Sequence, residues 1–455
     1  MGLSLLQRAW RKFCRRWQWR ASRSRHPRLT LVSQFFPPDF AATGQLLDDL
    51  TQRFAASGLQ VQVLTGMPAY AYNRADAKRI EFQPNRCIRR TQASRFWPLR
   101  IRGRAINGIL FCLRISLRLL RYSRRGDLIL YTTEPPYLPL LGWLLHLVTR
   151  TPYLVLLYDL YPDVLVELGV LPASHPLVRL WRQFNRWVFA DAQQLIVLSD
   201  PMAERLLSHG VDAAAKLSVI PSWADPGVIY PRPKASNWFA QKHQLGESFV
   251  VLYSGNQGRC HDLVTVLAAA LLLRQEPEVL FLFIGKGPQH QRLLELVHDW
   301  GLSNCRFLPY QELSDLPFSL SAADLALVTL GIEAEGLVAP SKLYGHLAAG
   351  TPIAAITPAG SYLRHLVESD GCGRWFANGD AQGLADWILQ LKANPSEVVA
   401  CGNRSRRLLE RTATPEIVTA QYLRLIQQHL PEHKSLTAPL TSPLPESSDQ
   451  PDQPG

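Results

Sequence analysis

The sequence predicts two doubly wound, Rossmann-like α/β domains that face each other across a cleft. Three observations predict it. Apolar strands alternate with amphipathic helices from Leu29 to about residue 430, as in a parallel sheet covered on both faces. The alternation breaks once, at the proline-rich stretch 223–236, WADPGVIYPRPKAS, and then restarts. The chain has 455 residues, room for two to three domains of roughly 150 each. The expected division is a basic amphipathic leader (1–26), an N-terminal domain (27–225), a C-terminal domain (226–430) and a disordered Pro/Ser/Asp/Gln-rich tail (431–455).

In the first domain LTLVSQFF is a strand broken by Pro37 and Pro38. Thr43 is placed to cap a helix whose one face carries Leu46, Leu47, Leu50 and Phe54; Gly58 ends it. LQVQVLTG is the next strand. DLILYTTEPP, YLVLLYDLYP, QQLIVLSD and KLSVIPSW are further strands, separated by helices at 137–149, about 176–190 and PMAERLLSHG. In the second domain the strands are FVVLYSGN, EVLFLFIGKG, CRFLPY, LALVTL and PIAAI, and helices fill most of 381–430.

Charge is unevenly spread. The net is +12, yet residues 1–30 hold nine Lys/Arg and residues 82–126 hold twelve Arg, both without an acid, which leaves the rest of the chain nine charges negative. Basic patches on an acidic remainder suit docking on an anionic surface. In the leader Leu3, Leu6, Trp10, Phe13 and Trp17 form one helical stripe with arginines around it, the pattern of a helix lying in a lipid interface. Ile106, Ile109, Leu110, Leu113, Leu117 and Leu120 follow helical spacing beside Arg114 and Arg118. That helix reads as a core element with a solvated arginine face, or as one whose apolar face packs while the arginines meet lipid headgroups. The most apolar run, Pro135 to Thr149, is too short to span a bilayer, and no secretory signal is expected at the N-terminus. Seven scattered cysteines without CxxC or Cys/His spacing argue against zinc and disulfide frameworks. No cofactor and no metal site is expected. Nucleic acid is not an expected partner, since no aromatic-basic motif accompanies the arginines.

In doubly wound sheets ligands sit at the C-terminal strand ends. Those ends carry Gly44 at a small-residue helix start, Asp159 in YDLYPD, Gly255 and Arg259 in SGNQGR, Lys286 in GKG, and Glu335, Ser341 and Lys342 in EGLVAPSK. Glycines let backbone approach a ligand, and cations with helix N-termini suit phosphate. Each loop taken singly also reads as a plain tight turn. Together, those of the second domain favour a diphosphate site. Asp163 reads mainly as a helix cap. Of the twelve histidines, only His261 and His346 fall in these segments.

The ordered series FFPPDFAATG, LYDLYPDVLVELG, VLSDPMAERLLSHGV, KLSVIPSWAD, YSGNQGRCHDLVTVLAAA, FIGKGP, RFLPY and PSKLYGHLAAGTPIAAI resembles the family 4 retaining glycosyltransferases of the GT-B fold, colanic-acid and O-antigen type. The resemblance runs from about Leu29 to about 430. It implies a nucleotide-diphosphate sugar in the C-terminal domain and an acceptor in the N-terminal one, a lipid-linked saccharide or polysaccharide precursor. It implies Gly255, Arg259, Lys286, Ser341 and Lys342 near the nucleotide or diphosphate, Glu335 near the sugar or ribose, Gly44 on the diphosphate side, and Asp159 in the reaction cleft. Asp159 and Glu335 are thus the candidate catalytic residues. The implied chemistry is metal-independent transfer with retention, by a protein peripherally held on the inner, cytoplasmic face of the plasma membrane. Three departures stand out. Gly345 occupies the place of a second Glu, Ser222 that of a common Asn, and no His is evident at Tyr158. The alternative reading is a non-catalytic GT-B protein that partners or regulates another membrane glycosyltransferase.

Overall fold

The computed structural model describes residues 27–430, apart from 40, 69–76, 93, 95, 97–100, 123–125, 209 and 211–213. Trp10, Phe13 and Trp17, and the tail 431–455, lie outside the described residues.

The first sheet contains β1 (Arg28–Val32), β2 (Gln60–Gly66), β3 (Ile80–Gln83), β4 (Arg86–Thr91), β5 (Leu128–Thr132), β6 (Tyr153–Leu157), β7 (Gln194–Val197) and β8 (Leu217–Val219). Their order is β3-β4-β2-β1-β5-β6-β7-β8. Pairing is parallel except between β3 and β4, a hairpin. β5 and β6 are buried at every position, because helices cover both faces. From β1 to β2 the chain steps one way across the sheet; from β4 through β5 and β6 to β7 it steps the other way. Right-handed crossovers therefore place α1 (Ala42–Ala56) on one face, and α2 (Ile101–Tyr122), α3 (Leu138–Thr149) and α5 (Pro176–Asp191) on the opposite one. Two shorter helices, α4 (Asp163–Glu167) and α6 (Asp200–Ser208), complete this domain.

The second sheet holds β9 (Phe249–Ser254), β10 (Val279–Ile284), β11 (Cys305–Leu308), β12 (Leu325–Thr329), β13 (Ile353–Ile356) and β14 (Gly373–Phe376), all parallel, in the order β11-β10-β9-β12-β13-β14. Its helices are α7 (Trp238–Lys242), α8 (Val264–Leu272), α9 (His290–Asp299), α10 (Leu316–Leu320), α11 (Lys342–Ala348), α12 (Tyr362–Ser369), α13 (Ala381–Ala393) and α14 (Pro395–Thr412). The last helix, α15 (Pro415–His429), follows the second sheet in sequence but packs on the first core. Its stripe Val418, Tyr422 and Ile426 is fully buried there, and Tyr422 meets Phe54 of α1 edge-on at 6.3 Å.

The proline-rich stretch is clamped from both sides. Arg53 of α1 bonds Asp49 at 2.8 Å, Asp225 of the linker at 3.1 Å and Glu416 of α15 at 2.8 Å. Trp223 donates its indole N–H to Asp49 at 2.7 Å. On the other side Arg406 donates to the carbonyls of Pro226, Ile229 and Ala348. Without periodicity of its own, the segment takes its shape from these two arginines.

Three local readings change. The strand β3 runs into the arginine-rich segment 82–126 and β4 lies within it, two strands the sequence reading did not name. Arg86 and Arg90 are buried there against Asp48 and Glu81. Thr43 does not cap α1, which begins after Ala41 without a side-chain cap; its hydroxyl donates to Glu134 instead. On α2 the buried face is Asn107, Phe111, Cys112, Ile115 and Leu119, whereas Ile106, Ile109, Leu113 and Leu117 point to solvent. The helix is apolar on two sides, and the conspicuous stripe is the unpacked one. Arg114 does not project freely but donates to the Gln92 carbonyl and the Ser94 hydroxyl, and Arg118 is half-buried.

Arg53→Ala should cost about 2 kcal/mol in chemical denaturation, because it removes a guanidinium only 12% exposed and leaves Asp49, Asp225 and Glu416 without their shared cation. Glu416→Ala, whose carboxylate is half open to water, should cost under about 1 kcal/mol in the same measurement.

Candidate active site

The C-terminal strand ends of both sheets converge, and the backbone itself joins them. Asp159, just past β6, forms an antiparallel bridge with Val338, and Leu160 N–H bonds the Leu337 carbonyl at 3.0 Å. The expected cleft residue of one domain thus touches the expected acidic loop of the other.

On the N-terminal side Gly44 sits in the first turn of α1. A Cβ there would come within 3.1 Å of Phe36 Cα and 3.2 Å of the Phe35 carbonyl, so glycine lets the helix seat against the loop before it. Beside it lies Glu134, at the end of β5, which the sequence reading did not single out. Its carboxylate accepts from Thr43 Oγ1 at 2.8 Å, and its carbonyl accepts from Gln34 N–H at 2.8 Å. Glu134 and Asp159 keep part of their surface open, yet protein surrounds both. Burial pushes Glu134 up to about 7; the Thr43 bond opposes this and Asp159 adds to it. Burial likewise pushes Asp159 up to about 6. A hollow opens next to Asp159, with Tyr161, Pro162, Arg182 and Asn185 in its wall. Asp163 begins α4 and is paired with Arg182 at 2.5 Å.

On the C-terminal side the loops after β9 and β10 interlock. Gly255 and Gly285 have φ of +133° and +123°, conformations that side chains resist. A Cβ on Gly285 would fall 2.2 Å from the Gly255 carbonyl oxygen, and one on Gly287 2.5 Å from that of Gln257. Gln257 and Gln289 cross-bond the loops through backbone and side chain. The glycines therefore serve loop packing directly. Arg259 and Lys286 stand exposed on these loops, while the Lys286 carbonyl accepts from Gln257 N–H and the Tyr310 hydroxyl.

Lys342 is the cation that reaches inward. Its ammonium donates to the Tyr253 hydroxyl at 2.6 Å, lies 3.3 Å from His261 Nε2 and sits 4.0 Å from the Tyr253 ring centre. A Cβ on Gly255 would touch its Cε at 3.5 Å. The tautomer of His261 follows from its other nitrogen: Nδ1 is 2.7 Å from the Thr329 carbonyl, so Nδ1–H donates and Nε2 accepts from Lys342. Burial pushes Lys342 down to about 7. Burial, then the nearby Lys342, pushes His261 down to about 3. One turn along α11, His346 is fully buried with no partner on either ring nitrogen, and burial pushes it down to about 3 as well.

Glu335 lies between a short 3-10 turn and Gly336, whose φ is +71°. Its buried carboxylate faces the start of α12, near the Ser361 hydroxyl and the Tyr362 N–H. Burial raises its pKa, and nearby Ser361 and the Tyr362 N–H temper the rise. Such an oxygen pair is suited to accept from a ligand hydroxyl. Ser341 precedes α11 in helical geometry and its hydroxyl makes no cap. Gly345 faces α10: a Cβ there would come 2.9 Å from Leu320 Cδ1. The structure therefore groups Asp159, Glu335, Lys342 and Gly255 around one cleft, with Glu134, His261 and His346 added. Arg259 and Lys286 stay at its exposed rim. Among the described residues no group of three or more His, Cys, Asp or Glu is arranged to hold a metal ion.

Two family models match the two halves. Residues 43–223 match the glycosyl transferase 4-like domain, and residues 235–408 match glycosyl transferases group 1. In sequence the chain is similar to the probable glycosyltransferase WbjE of Pseudomonas aeruginosa, 27% identical over 74% of this chain and 83% of that one. It is also similar to the putative colanic acid biosynthesis glycosyl transferase WcaI of Escherichia coli, 27% identical over 58% and 65%. Among solved structures it shares its fold with sucrose-phosphate synthase of Thermosynechococcus elongatus, TM-score 0.71 at 21% identity over 89% and 99%. The same holds for Anabaena HepE in complex with UDP-glucose, TM-score 0.68 at 16% identity over 89% and 100%. With matched models over both sheets and a cleft at their facing strand ends, the chain belongs to the GT-B glycosyltransferases that join a glycosyl transferase 4-like domain to a group 1 domain.

Proposed function

We propose that the enzyme moves a hexosyl group from a nucleotide-diphosphate sugar to a lipid-linked saccharide or polysaccharide precursor. We further propose retention at the anomeric carbon, no metal or other cofactor, and a place on the cytoplasmic face of an anionic membrane. The observation that carries the reading is the inward-facing Lys342, held by Tyr253 and His261 at the strand ends of the C-terminal domain. The relatives' names support the pathway class. WcaI is described as a colanic acid biosynthesis enzyme, and WaaG, which shares the fold at TM-score 0.64 and 15% identity, as one of lipopolysaccharide biosynthesis. HepE was solved with UDP-glucose.

The chemistry follows from charge. When the glycosidic C–O bond breaks, its electron pair leaves with the diphosphate, which gains charge. Lys342 would meet that charge, with Arg259, Lys286 and the backbone at Ser341, Gly255 and Gly44 around it. Glu335, whose buried carboxylate has lone pairs to spare, would accept from sugar hydroxyls. Asp159 would accept a hydrogen bond from the acceptor hydroxyl, with Glu134 behind it. Among the described residues no helix is long and apolar enough to cross a membrane, so attachment would be to a surface. One observation favours the non-catalytic alternative. Gly345, where the family resemblance implies a second Glu, is packed on Leu320.

A thermal-shift panel of UDP, GDP, ADP and dTDP, with and without EDTA, should show one base raising the melting temperature by a few degrees in both conditions. No shift with any of them would remove the donor site from this cleft. Binding without donor turnover would favour the non-catalytic reading.

The free ammonium of Lys342 titrates at about 7, and a bound diphosphate must raise it. Above that pH, binding should therefore take up close to one proton, visible by calorimetry in buffers of different ionisation enthalpy, and affinity should fall as pH rises. Lys342→Met should abolish the uptake and weaken the nucleotide diphosphate roughly tenfold to a hundredfold. Glu335→Gln should weaken the sugar nucleotide but leave the free diphosphate unchanged, read in the same titrations.

A further inference from the structure

Nine large apolar side chains stand exposed on the face of the first sheet that α2, α3 and α5 cover. They are Ile106, Ile109, Leu113 and Leu117 on α2, Leu144 and Leu147 on α3, and Leu177, Leu180 and Trp187 on α5. Leu113 and Leu117 are 57% and 69% exposed. The three helices are locked side by side. Tyr137, at the start of α3, donates its hydroxyl to the Ala105 carbonyl of α2 at 2.5 Å, and Trp143 of α3 stacks on Trp187 of α5 at 5.6 Å. Their only acid is Asp191, which accepts from the Trp143 indole at 2.7 Å. Exposed arginines stand among the apolar residues, Arg102 on α2 and Arg179 and Arg186 on α5. A rigid, aliphatic, acid-poor face of this width is far from the scattered exposure of an ordinary surface.

We infer that this three-helix face docks on an anionic phospholipid bilayer, with the α2 stripe and the α5 leucines entering the acyl boundary and the arginines meeting the headgroups. The inference deepens the membrane reading above and rests on it. Charge selects the occupant. The leader is the segment outside the described residues that starts nearest: Arg28 bonds Asp127 at 2.7 Å, just beyond the end of α2. It carries an apolar stripe of its own but no acid, so laying it over an acid-free α2 sets cations against cations. A second copy of the face meets the same repulsion. A bilayer with negative headgroups accepts the apolar stripe and neutralises the arginines together.

The test is flotation of the full-length chain with vesicles of phosphatidylcholine, or of phosphatidylcholine doped with phosphatidylglycerol. Binding should require phosphatidylglycerol. Leu113→Ser/Leu117→Ser and Leu177→Ser/Leu180→Ser should each weaken it about tenfold, with the melting curve unchanged because all four side chains are exposed. If both double variants bind like the parent while Trp10→Ala/Phe13→Ala/Trp17→Ala is released, the face is wrong and the membrane reading survives through the leader. If the parent chain ignores both kinds of vesicle, the membrane reading fails and the face with it. If the parent is a dimer by light scattering and Leu113→Ser/Leu117→Ser makes it a monomer that still floats, the stripe is a self-association surface and the inference is overturned.

Discussion

The cleft depends on how two separately cored sheets are held at one angle, and Arg53 sits at that joint. It gathers a carboxylate from its own helix, one from the linker and one from the returning last helix. None of these groups belongs to the chemistry. Yet if the linker drifted from α1, Asp159 would leave Val338 and the strand ends would no longer share one cavity. The constraint works because the guanidinium fork can serve several carboxylates at fixed geometry, which a lysine could not do. Tyr422 against Phe54 then adds apolar area to what would be a purely ionic contact.

Inside the cleft the common theme is suppressed charge. Burial drives Lys342 toward the neutral amine, His261 to neutrality, and Glu134 and Asp159 toward the acid. An empty site in this state avoids the cost of several bare charges at close range. A strongly anionic ligand reverses the balance for Lys342 first, since that group is the cation with ordered partners. His261 contributes by what it cannot do: with Nδ1–H committed to Thr329, its Nε2 faces Lys342 as an acceptor.

The alternation of strands and helices, the break near 223–236 and the strand-end loops were all legible from apolar periodicity and from glycine and proline placement. Gly255, Glu335 and Lys342 were singled out because ligand sites of such sheets lie at strand ends. Other parts were hidden for physical reasons. The β3–β4 hairpin is written in arginines, one paired across the hairpin with Glu81 and one with Asp48, far back on α1. Glu134 sits in TTEPP, which reads as the end of a strand; the usable signal was an acid standing at such an end. Thr43 had a local explanation as a cap, and a partner 91 residues away claimed it. The α2 stripe was visible, but periodicity cannot say which of two apolar faces is covered. The Asp159–Val338 contact is made by backbone and leaves no trace in residue type.

The return of α15 to α1 also decides where the end of the chain goes. α15 covers the face of the first sheet opposite to α2, α3 and α5, so residues beyond Leu430 depart from the far side of that domain. The sequence from there on contains Glu446, Asp449 and Asp452. An acidic tail attached on the helical face would have competed with whatever anion the arginines meet. A label fused directly after Leu430 therefore starts on the side of the domain away from the arginine-bearing face.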